Sequence, residues 1–310
     1  MRDFIFLLSN HVISEVSSKF DILKSKRNTG LSPGGDTQFD IDDIAESAVY
    51  DFLIKSDKKI AYYSEDKGLR KLCEEPEYLL IIDPIDGTRG AAAGLECSCF
   101  SIAVSSYKED ACINDIKYAL LYEFKTKSTF YADHTGGFEI SNAKSQLSQT
   151  MSPSKMFWSM EFNGHPAQIM TYSLGELIDK SANPGGVFIF NSASYSISRI
   201  ITGQLDCYVD IGNRLVRDVP ELEKEFRKVG NGQLLHLFPY DIAAAVYIAK
   251  KAGVVITDAY GDDLGKTKLL DISKDNLQSC IAASNKELHT AVMKSIRWIN
   301  SINEIEGVLY

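Results

Sequence analysis

The sequence predicts a mixed α/β fold of the α+β kind, in which layers of helix and sheet form a sandwich. Residues 98–132 indicate an antiparallel meander, because apolar and polar residues alternate in three short runs. The second half instead alternates helix and strand patterns, as layered α/β folds do. With 310 residues and 45% hydrophobic content, the chain can bury a sizeable core. A polar stretch at 141–155 predicts the boundary between sub-domains 1–145 and 146–310, which share an acidic cleft.

The first half opens with apolar residues at helical spacing, which predict helices over 3–24 and 41–56. Between them, residues 25–36 are polar and rich in Gly and Pro. This segment is either a plain connector or a mobile loop that closes over an anionic ligand, and its basic residues favour the loop. Short apolar runs then predict five strands, near 59–63, 78–82, 98–107, 116–123 and 127–132.

The second half is predicted to alternate strands and helices. Strands are expected near 156–161, 187–190, 205–210, 254–257 and 279–283. Helices are expected near 166–180, from 191 to about 202, and over 240–252 and 285–302. Residues 213–235 form a charged insertion with a helical pattern around 220–229, and its run 221–228 is most simply a solvated helix face.

The charge balance and hydropathy of the chain exclude two classes of partner. A net charge of −9 and a pI near 5.2 argue against a broad nucleic-acid surface. No stretch approaches the roughly eighteen apolar residues of a membrane helix, and the apolar run 4–8 is too short for a signal-peptide core. We therefore expect a cytoplasmic protein with neither a nucleic-acid nor a membrane partner.

The cysteines and histidines give no sign of a metal or redox site. Six cysteines in a long chain without a secretion signal predict free thiols. Cys97 and Cys99 would share one face of a strand, which favours packing. No paired C-x-x-C motif exists, and the five histidines lack metal-ligand spacing, so we interpret them as surface or packed residues.

The most informative motif is Asp83-Pro84-Ile85-Asp86-Gly87-Thr88, which follows the apolar run 78–82. Pro84 fixes its own φ and stiffens the bend, so both carboxylates can turn toward one ion and the Ile85 carbonyl can join them. Gly87 allows close approach of backbone to a ligand, and Thr88 adds a hydroxyl. Oxygen ligands favour Mg²⁺ or Mn²⁺ over zinc. The alternative is an ordinary polar turn at the end of a strand.

Three further segments, taken with this motif, resemble the inositol monophosphatase and fructose-1,6-bisphosphatase superfamily of Mg²⁺-dependent phosphatases. They are the stretch from Asp36 to Glu46, the pair Glu65-Asp66 after Ser64, and Tyr240-Asp241-Ile242-Ala243-Ala244-Ala245. The order matches over about residues 34–260, and the combination is more specific than any one segment. Gly34-Gly35-Asp36 and the stretch 208–215 are most similar to archaeal members, which often act on both inositol monophosphate and fructose 1,6-bisphosphate.

The resemblance implies a layered αβαβα sandwich, a homodimer and a cleft that binds two or three Mg²⁺ ions, with Mn²⁺ as a possible substitute. The implied metal ligands are Asp36 for a weaker third ion and, for the first two, Glu65, Asp83, the Ile85 carbonyl, Asp86 and Asp241. The implied catalytic residues are Asp42, Thr88 and Glu65: Asp42 accepts a hydrogen bond from Thr88, which orients the attacking water, and Glu65 shares the role of base. No covalent phospho-enzyme is implied.

The same resemblance implies that a small phosphorylated metabolite is held by Gly87, Thr88, Arg89, Ser192 and Asp210. Arg89 either pairs with phosphate or is a solvated surface charge, and it stands where an Asn or aromatic residue is commoner. Other departures are Asp66 in place of Glu, Tyr240 in place of Trp, and the small run 91–94, which could widen the pocket. Two alternatives stay open: a 3'-phosphoadenosine-5'-phosphate phosphatase, and a catalytically silent relative that binds metal and acts through interactions.

Overall fold

The computed structural model describes residues 1–19, 28–305 and 307. Its longer helices follow the apolar spacing of the sequence, and each buries one face. In chain order the α-helices are α1 (Arg2–Ser17), α2 (Asp40–Leu53), α3 (Thr88–Ala92), α4 (Ala167–Ser181), α5 (Ala193–Ile201), α6 (Gly212–Asp218), α7 (Glu223–Val229), α8 (Pro239–Ala252) and α9 (Lys286–Ser295).

The strands form three sheets, and most are short runs rich in apolar residues. They are β1 (Asn28–Leu31), β2 (Thr37–Phe39), β3 (Ile60–Ser64), β4 (Gly68–Lys71), β5 (Tyr78–Asp86), β6 (Cys99–Ser106), β7 (Ile116–Glu123), β8 (Thr129–Asp133), β9 (Phe138–Ser141), β10 (Phe157–Met160), β11 (Gly186–Phe188), β12 (Cys207–Asp210), β13 (Val255–Thr257) and β14 (Cys280–Ala283).

The larger sheet has seven strands in the order β4-β3-β5-β6-β7-β8-β9. Only β3 and β5 pair in parallel, and the run from β5 to β9 is an antiparallel meander, which confirms the prediction over 98–132. Side chains alternate between its two faces, so that Leu80 and Ile82 enter one core cluster and Leu79 and Ile81 the other. Each face of this sheet is therefore buried.

Helices and sheets alternate in five layers, with a helical layer on each face of both sheets. Helices α1 and α2 pack together on the outer face of the seven-stranded sheet, while α5 and α8 lie between it and the second sheet. That second sheet has five strands in the order β11-β10-β12-β14-β13, and α4 and α9 pack on its far side. The arrangement confirms the expected αβαβα sandwich. No helix in the described residues is long and apolar enough to cross a membrane.

Some predicted elements differ from those observed. Helix α1 ends at Ser17, before the expected end at 24, and residues 20–27 lie outside the described residues. Part of the predicted loop 25–36 is strand β1, which pairs with β2. Helix α9 ends at Ser295, because the next residue turns to an extended conformation and its side chain, like that of Ile299, enters the core. Strands β4 and β9 were not expected.

The two halves of the chain supply separate sheets but share a core. Strands β3 to β9 come from residues 60–141 and β10 to β14 from residues 157–283. One apolar cluster nevertheless contains residues of both sheets, with α8 between them. The division into sub-domains at 145/146 therefore stays a prediction. All six cysteines are free, and four are buried, which confirms the predicted thiols.

Candidate active site

One cleft collects all but one of the residues singled out in the sequence. It has an empty volume of about 620 Å³ and is lined by residues of both halves of the chain. The predicted residues that line it are Asp36, Glu65, Asp83, Ile85, Asp86, Gly87, Thr88, Arg89, Ser192, Asp210 and Asp241. Asp42 is not part of this lining and lies buried at the start of α2.

The hexapeptide leaves the regular sheet where β5 ends. The pairing of β5 with β6 shifts between Asp83 and Asp86, which is where Pro84 lacks a backbone donor. Gly87 then has φ of +87°, and a Cβ there would collide with the carbonyl oxygen of Cys97. Glycine adopts this positive φ without strain and has no Cβ to collide with the carbonyl, so the turn that starts α3 depends on it.

Four acidic side chains, which we call the metal wall, line the cleft: Glu65, Asp83, Asp86 and Asp241. Asp83 Oδ1 accepts a hydrogen bond from the N–H of Ile85 at 3.0 Å. Asp86 Oδ2 accepts one from the N–H of Ser194 at 2.6 Å, and Asp241 Oδ2 caps α8 by accepting from Phe238 at 2.7 Å. These backbone donors fix the direction of each carboxylate.

The metal wall keeps oxygen atoms available for a cation. Asp83 and Asp241 each retain one oxygen with no hydrogen bond from a described residue, and the carboxylate of Glu65 has none at all. Burial, followed by repulsion from neighbouring carboxylates, raises the pKa of Glu65, Asp83 and Asp241 well above the ordinary range. Burial also raises the pKa of Asp86 to about 6. A cation would relieve both the repulsion and the loss of hydration, and an all-oxygen donor set suits Mg²⁺.

These carboxylates share a cleft without forming a finished metal cage. Across residues 1–19 and 28–305, no three Asp, Glu, His or Cys side chains are already grouped closely enough to hold an ion. The side chains of the metal wall would therefore have to turn inward on binding. Their role as ligands stays a prediction, supported by their common cleft and their free oxygens.

Asp42 and Thr88 lie close together, as the predicted relay needs. Asp42 Oδ2 accepts a hydrogen bond from the N–H of Phe39 at 2.7 Å, and burial and Asp66 raise its pKa to about 8. The Thr88 hydroxyl lies within reach of Asp42, but it also donates to the Ile85 carbonyl oxygen at 3.0 Å. Because a hydroxyl has one proton to donate, the relay requires Thr88 to release Ile85.

Asp36 and Arg89, which were assigned separately to metal and substrate, bind each other. Arg89 Nη1 donates to Asp36 Oδ2 at 3.0 Å, and Nη2 donates to Oδ1 at 2.7 Å. Asn163 Nδ2 also donates to Oδ2, at 3.1 Å, and the N–H of Thr37 donates to Oδ1 at 2.7 Å. Arg89 is thus neither a solvated surface charge nor free for phosphate in this arrangement.

A second group of residues that line the cleft, which we call the substrate wall, comes from the second half of the chain: Glu161, Asn191, Ser192, Asp210 and His236. Ser192 caps α5 by accepting a hydrogen bond from Tyr195 at 3.2 Å. Asp210 is fully buried and accepts from the N–H of Gly212 at 3.0 Å, while its Oδ2 has no partner among the described residues. An unsatisfied buried carboxylate oxygen is suited to accept a ligand hydroxyl.

The sequence analysis missed three members of the substrate wall, Glu161, Asn191 and His236. Glu161 directly follows β10, whose parallel neighbour β12 ends in Asp210. The carboxyl ends of parallel neighbours meet at one edge of a sheet, so the argument used for the hexapeptide could have found Glu161. His236 was interpreted as a surface or packed residue; it is packed, and it also lines the cleft. Nothing in its local sequence signals that position.

The family model for the inositol monophosphatase family matches residues 3–301, nearly the whole chain. The chain belongs to this family. A fructose-1,6-bisphosphatase/inositol-1-monophosphatase of Archaeoglobus fulgidus is 24% identical and covers 87% of this chain and 88% of that protein. A bifunctional NADP phosphatase/NAD kinase of Methanocaldococcus jannaschii is also 24% identical, covering 95% of this chain and 51% of its own length. A crystal structure of an inositol monophosphatase-fructose 1,6 bisphosphatase superposes with a TM-score of 0.70 at 24% identity, covering 95% of this chain and 99% of that one.

Membership of the inositol monophosphatase family confirms three predictions from the sequence. The protein is a phosphoric monoester hydrolase, its family is metal-dependent, and its substrate is a phosphorylated metabolite. A catalytically silent relative is therefore the weaker interpretation.

The predicted widening of the pocket by the small run 91–94 is not observed, since Ala91 and Ala92 are buried and none of these residues lines the cleft.

Proposed function

We propose that this protein hydrolyses inositol 1-phosphate and fructose 1,6-bisphosphate with Mg²⁺. The observation that carries this proposal is the convergence of Glu65, Asp83, Asp86 and Asp241 on one cleft. They come from two strand ends and a helix start that lie far apart in sequence. The names of the archaeal relatives support the choice of these two substrates.

The residues of the metal wall are proposed to hold two ions. Glu65, Asp83 and the Ile85 carbonyl would hold the first, and Asp83, Asp86 and Asp241 the second. Mn²⁺ could replace Mg²⁺ because both accept oxygen donors. Bound ions would supply an acidified water and stabilise charge on the attacking and leaving oxygens.

The remaining residues would position the substrate and the water. Thr88, with its proton turned to Asp42, would accept a hydrogen bond from the attacking water and align it, and Glu65 would share the role of base. Gly87 and Thr88 line the same cleft, and their backbone N–H groups are proposed to contact the phosphate. Ser192 and Asp210, on the substrate wall, would accept hydrogen bonds from the hydroxyl groups of the substrate.

The test is phosphate release from inositol 1-phosphate, fructose 1,6-bisphosphate, NADP and 3'-phosphoadenosine 5'-phosphate, with Mg²⁺ or with EDTA. We expect turnover of the first two that needs Mg²⁺ and is lost in Asp86→Asn. Asp179→Asn, which changes an exposed carboxylate on α4, is the matched control and should keep full activity. A preference for either nucleotide would overturn the substrate assignment, and absence of turnover on all four would favour the silent relative.

We also propose a cytoplasmic homodimer. The free thiols support a reducing compartment.

The proposed dimer contact is an exposed apolar patch beside the edge strand β11. It consists of Phe157, Phe188 and Ile189, which are 47%, 37% and 51% exposed, and such an apolar edge is suited to a second copy of the chain. Light scattering on the purified protein should give twice the mass of one chain, and Phe188→Asp should shift it to the mass of one chain. A wild-type monomer would contradict the dimer.

A further inference from the structure

The ion pair between Asp36 and Arg89 bears on how many metal ions the cleft holds. Asp36 follows the turn between β1 and Thr37, and Arg89 is the second residue of α3. Their two hydrogen bonds, at 3.0 and 2.7 Å, form the parallel fork that Arg makes with a carboxylate. The pair is partly shielded, with the Arg89 side chain 35% exposed and that of Asp36 23% exposed.

The carboxylate of Asp36 has little capacity left for a metal ion. A carboxylate offers about four acceptor positions. In Asp36 these receive four donors, two from Arg89, one from Asn163 and one from the N–H of Thr37. The carboxylates of the metal wall differ, since Glu65 has no hydrogen bond and Asp83 and Asp241 each keep a free oxygen.

The guanidinium of Arg89 also brings positive charge to the place where the resemblance puts a third ion. Besides Asp36, both Glu65 and Glu161 lie close enough to attract it. Arg stays charged at every physiological pH, so this cation is permanent. A divalent ion bound at Asp36 would have to break the fork and sit beside a like charge.

We propose that Arg89 takes the place of the third, loop-bound metal ion, so that this chain binds two ions and Asp36 anchors Arg89 instead of ligating metal. The inference rests on the proposed two-ion function and adds to it. Arg89 then supplies a fixed positive charge on the side of the cleft that holds Asp36. The residue that follows Thr88 therefore determines how many ions bind, although it is not itself a metal ligand.

The experiment counts bound Mn²⁺ ions per chain, by equilibrium dialysis and by the loss of the free-Mn²⁺ electron paramagnetic resonance signal. We expect two ions for the wild type and two for Asp36→Asn, because Asp36 is not a ligand. Arg89→Gln should bind a third ion, since it frees the carboxylate. The double variant Arg89→Gln with Asp36→Asn should return to two.

Two further variants control for charge and for folding. Arg89→Lys keeps the positive charge and should stay at two ions. Arg70→Gln removes an exposed arginine that stacks on Tyr50 outside the cleft, and it should leave the count and the turnover unchanged. Circular dichroism melting on each variant confirms that the chains compared are folded.

The outcomes separate this inference from the proposed function. Three ions in the wild type, or an equal count in wild type and Arg89→Gln, would overturn the inference. If turnover still required Mg²⁺ and Asp86, the proposed function would stand without it. A wild-type count below two would overturn both.

Discussion

The two walls of the cleft differ in how the chain builds them. Every member of the metal wall lies at the end of a strand or in the first turn of a helix, and a nearby backbone N–H directs three of its four carboxylates. Three members of the substrate wall are placed in the same way, since Glu161 follows β10, Asp210 ends β12 and Ser192 precedes α5. This wall is in addition supported by buried side chains stacked behind it. The comparison shows that both walls start from local motifs at strand ends and helix starts, whereas the substrate wall also depends on the packing of a distant insertion.

Behind the substrate wall lies a buried group of three rings. His165 and His236 stand 5.5 Å apart between ring centroids, and Phe226 of α7 packs 5.5 Å from the first and 5.2 Å from the second. Gly212 faces both histidines, and a Cβ there would collide with His165 Nε2. The charged insertion therefore places an aromatic side chain under the wall, in addition to presenting a solvated face.

The surroundings shift the pKa values of the two histidines in opposite directions. Burial lowers the pKa of His236 to about 3, so this ring is neutral, and both of its nitrogens lack a partner among the described residues. Burial also opposes the charged form of His165, but Asp210, whose Oδ1 is 3.4 Å from Nε2, and Glu161 together raise its pKa. Asp210 and Glu161 thus favour the charged form of the His165 ring, whereas the ring that lines the cleft, His236, is neutral.

Breaking the metal wall should give the largest effect. Asp83→Asn should lower kcat by about 10³-fold, since an ion supplies several kcal/mol to the transition state and about 1.4 kcal/mol is worth tenfold. Without metal, the same variant should melt at a higher temperature than the wild type, because one repelling charge is gone. Steady-state assays and melting with EDTA measure the two changes. If Asp83→Asn melted at a lower temperature than the wild type in EDTA, the carboxylates of the metal wall would not be repelling one another.

Removing the support of the substrate wall should come next. Phe226 is fully buried, so Phe226→Ala should cost about 3–5 kcal/mol of unfolding free energy. It should also raise the KM for the organic substrate while the affinity for Mn²⁺ stays unchanged. Phe100→Ala, in the core cluster under α1 and α2, is the matched control with a similar stability loss and an unchanged KM. An equal KM in both variants would contradict the supporting role of α7.

A smaller effect should appear in the pH dependence of stability. Because the folded protein raises the pKa of His165, its stabilising contact with Asp210 is complete below the unfolded pKa and is lost as pH rises through the folded pKa. The melting temperature of the wild type should therefore exceed that of His165→Gln most at acidic pH. Glu161 and His236 also face this ring, so the profile is compared with that of Glu161→Gln. If the difference in melting temperature between wild type and His165→Gln widened with rising pH, the charged contact with Asp210 would not be what stabilises the fold.

The smallest effect should come from the contact between Asn163 and Asp36. Asn163, beside Glu161, donates to Asp36 at 3.1 Å. Asn163→Ala should cost about 1 kcal/mol or less, because the Arg89 fork remains. Its Mn²⁺ count should stay at two, with the exposed Asn300→Ala as control. A change in ion count would show that this amide, and not the Arg89 fork alone, keeps the Asp36 carboxylate from binding metal.

The four residues of the metal wall line one cleft, as expected from the sequence, because their signals are local, while their role as ligands stays a prediction. The run from Tyr78 and the Pro84 bend place Asp83 and Asp86 within one strand end, and the capping position of Asp241 is set by α8 itself. The bond between Asp36 and Arg89 joins residues 53 positions apart, and no pattern in either segment indicates it. Strand β4 escaped prediction because most of its residues are exposed and show no alternation. Both misses reflect tertiary contacts that local propensity does not encode.

The position of Phe226 has a consequence for how this family diversifies. The insertion that carries α7 reaches the cleft through the ring stack and through Leu235, and it contains no member of the metal wall. Changes in its length or sequence can therefore tilt His236 and Asp210 while the hydrolytic centre stays intact. Two chains could therefore share every acidic motif and still cleave different metabolites, so those motifs alone would not identify the substrate.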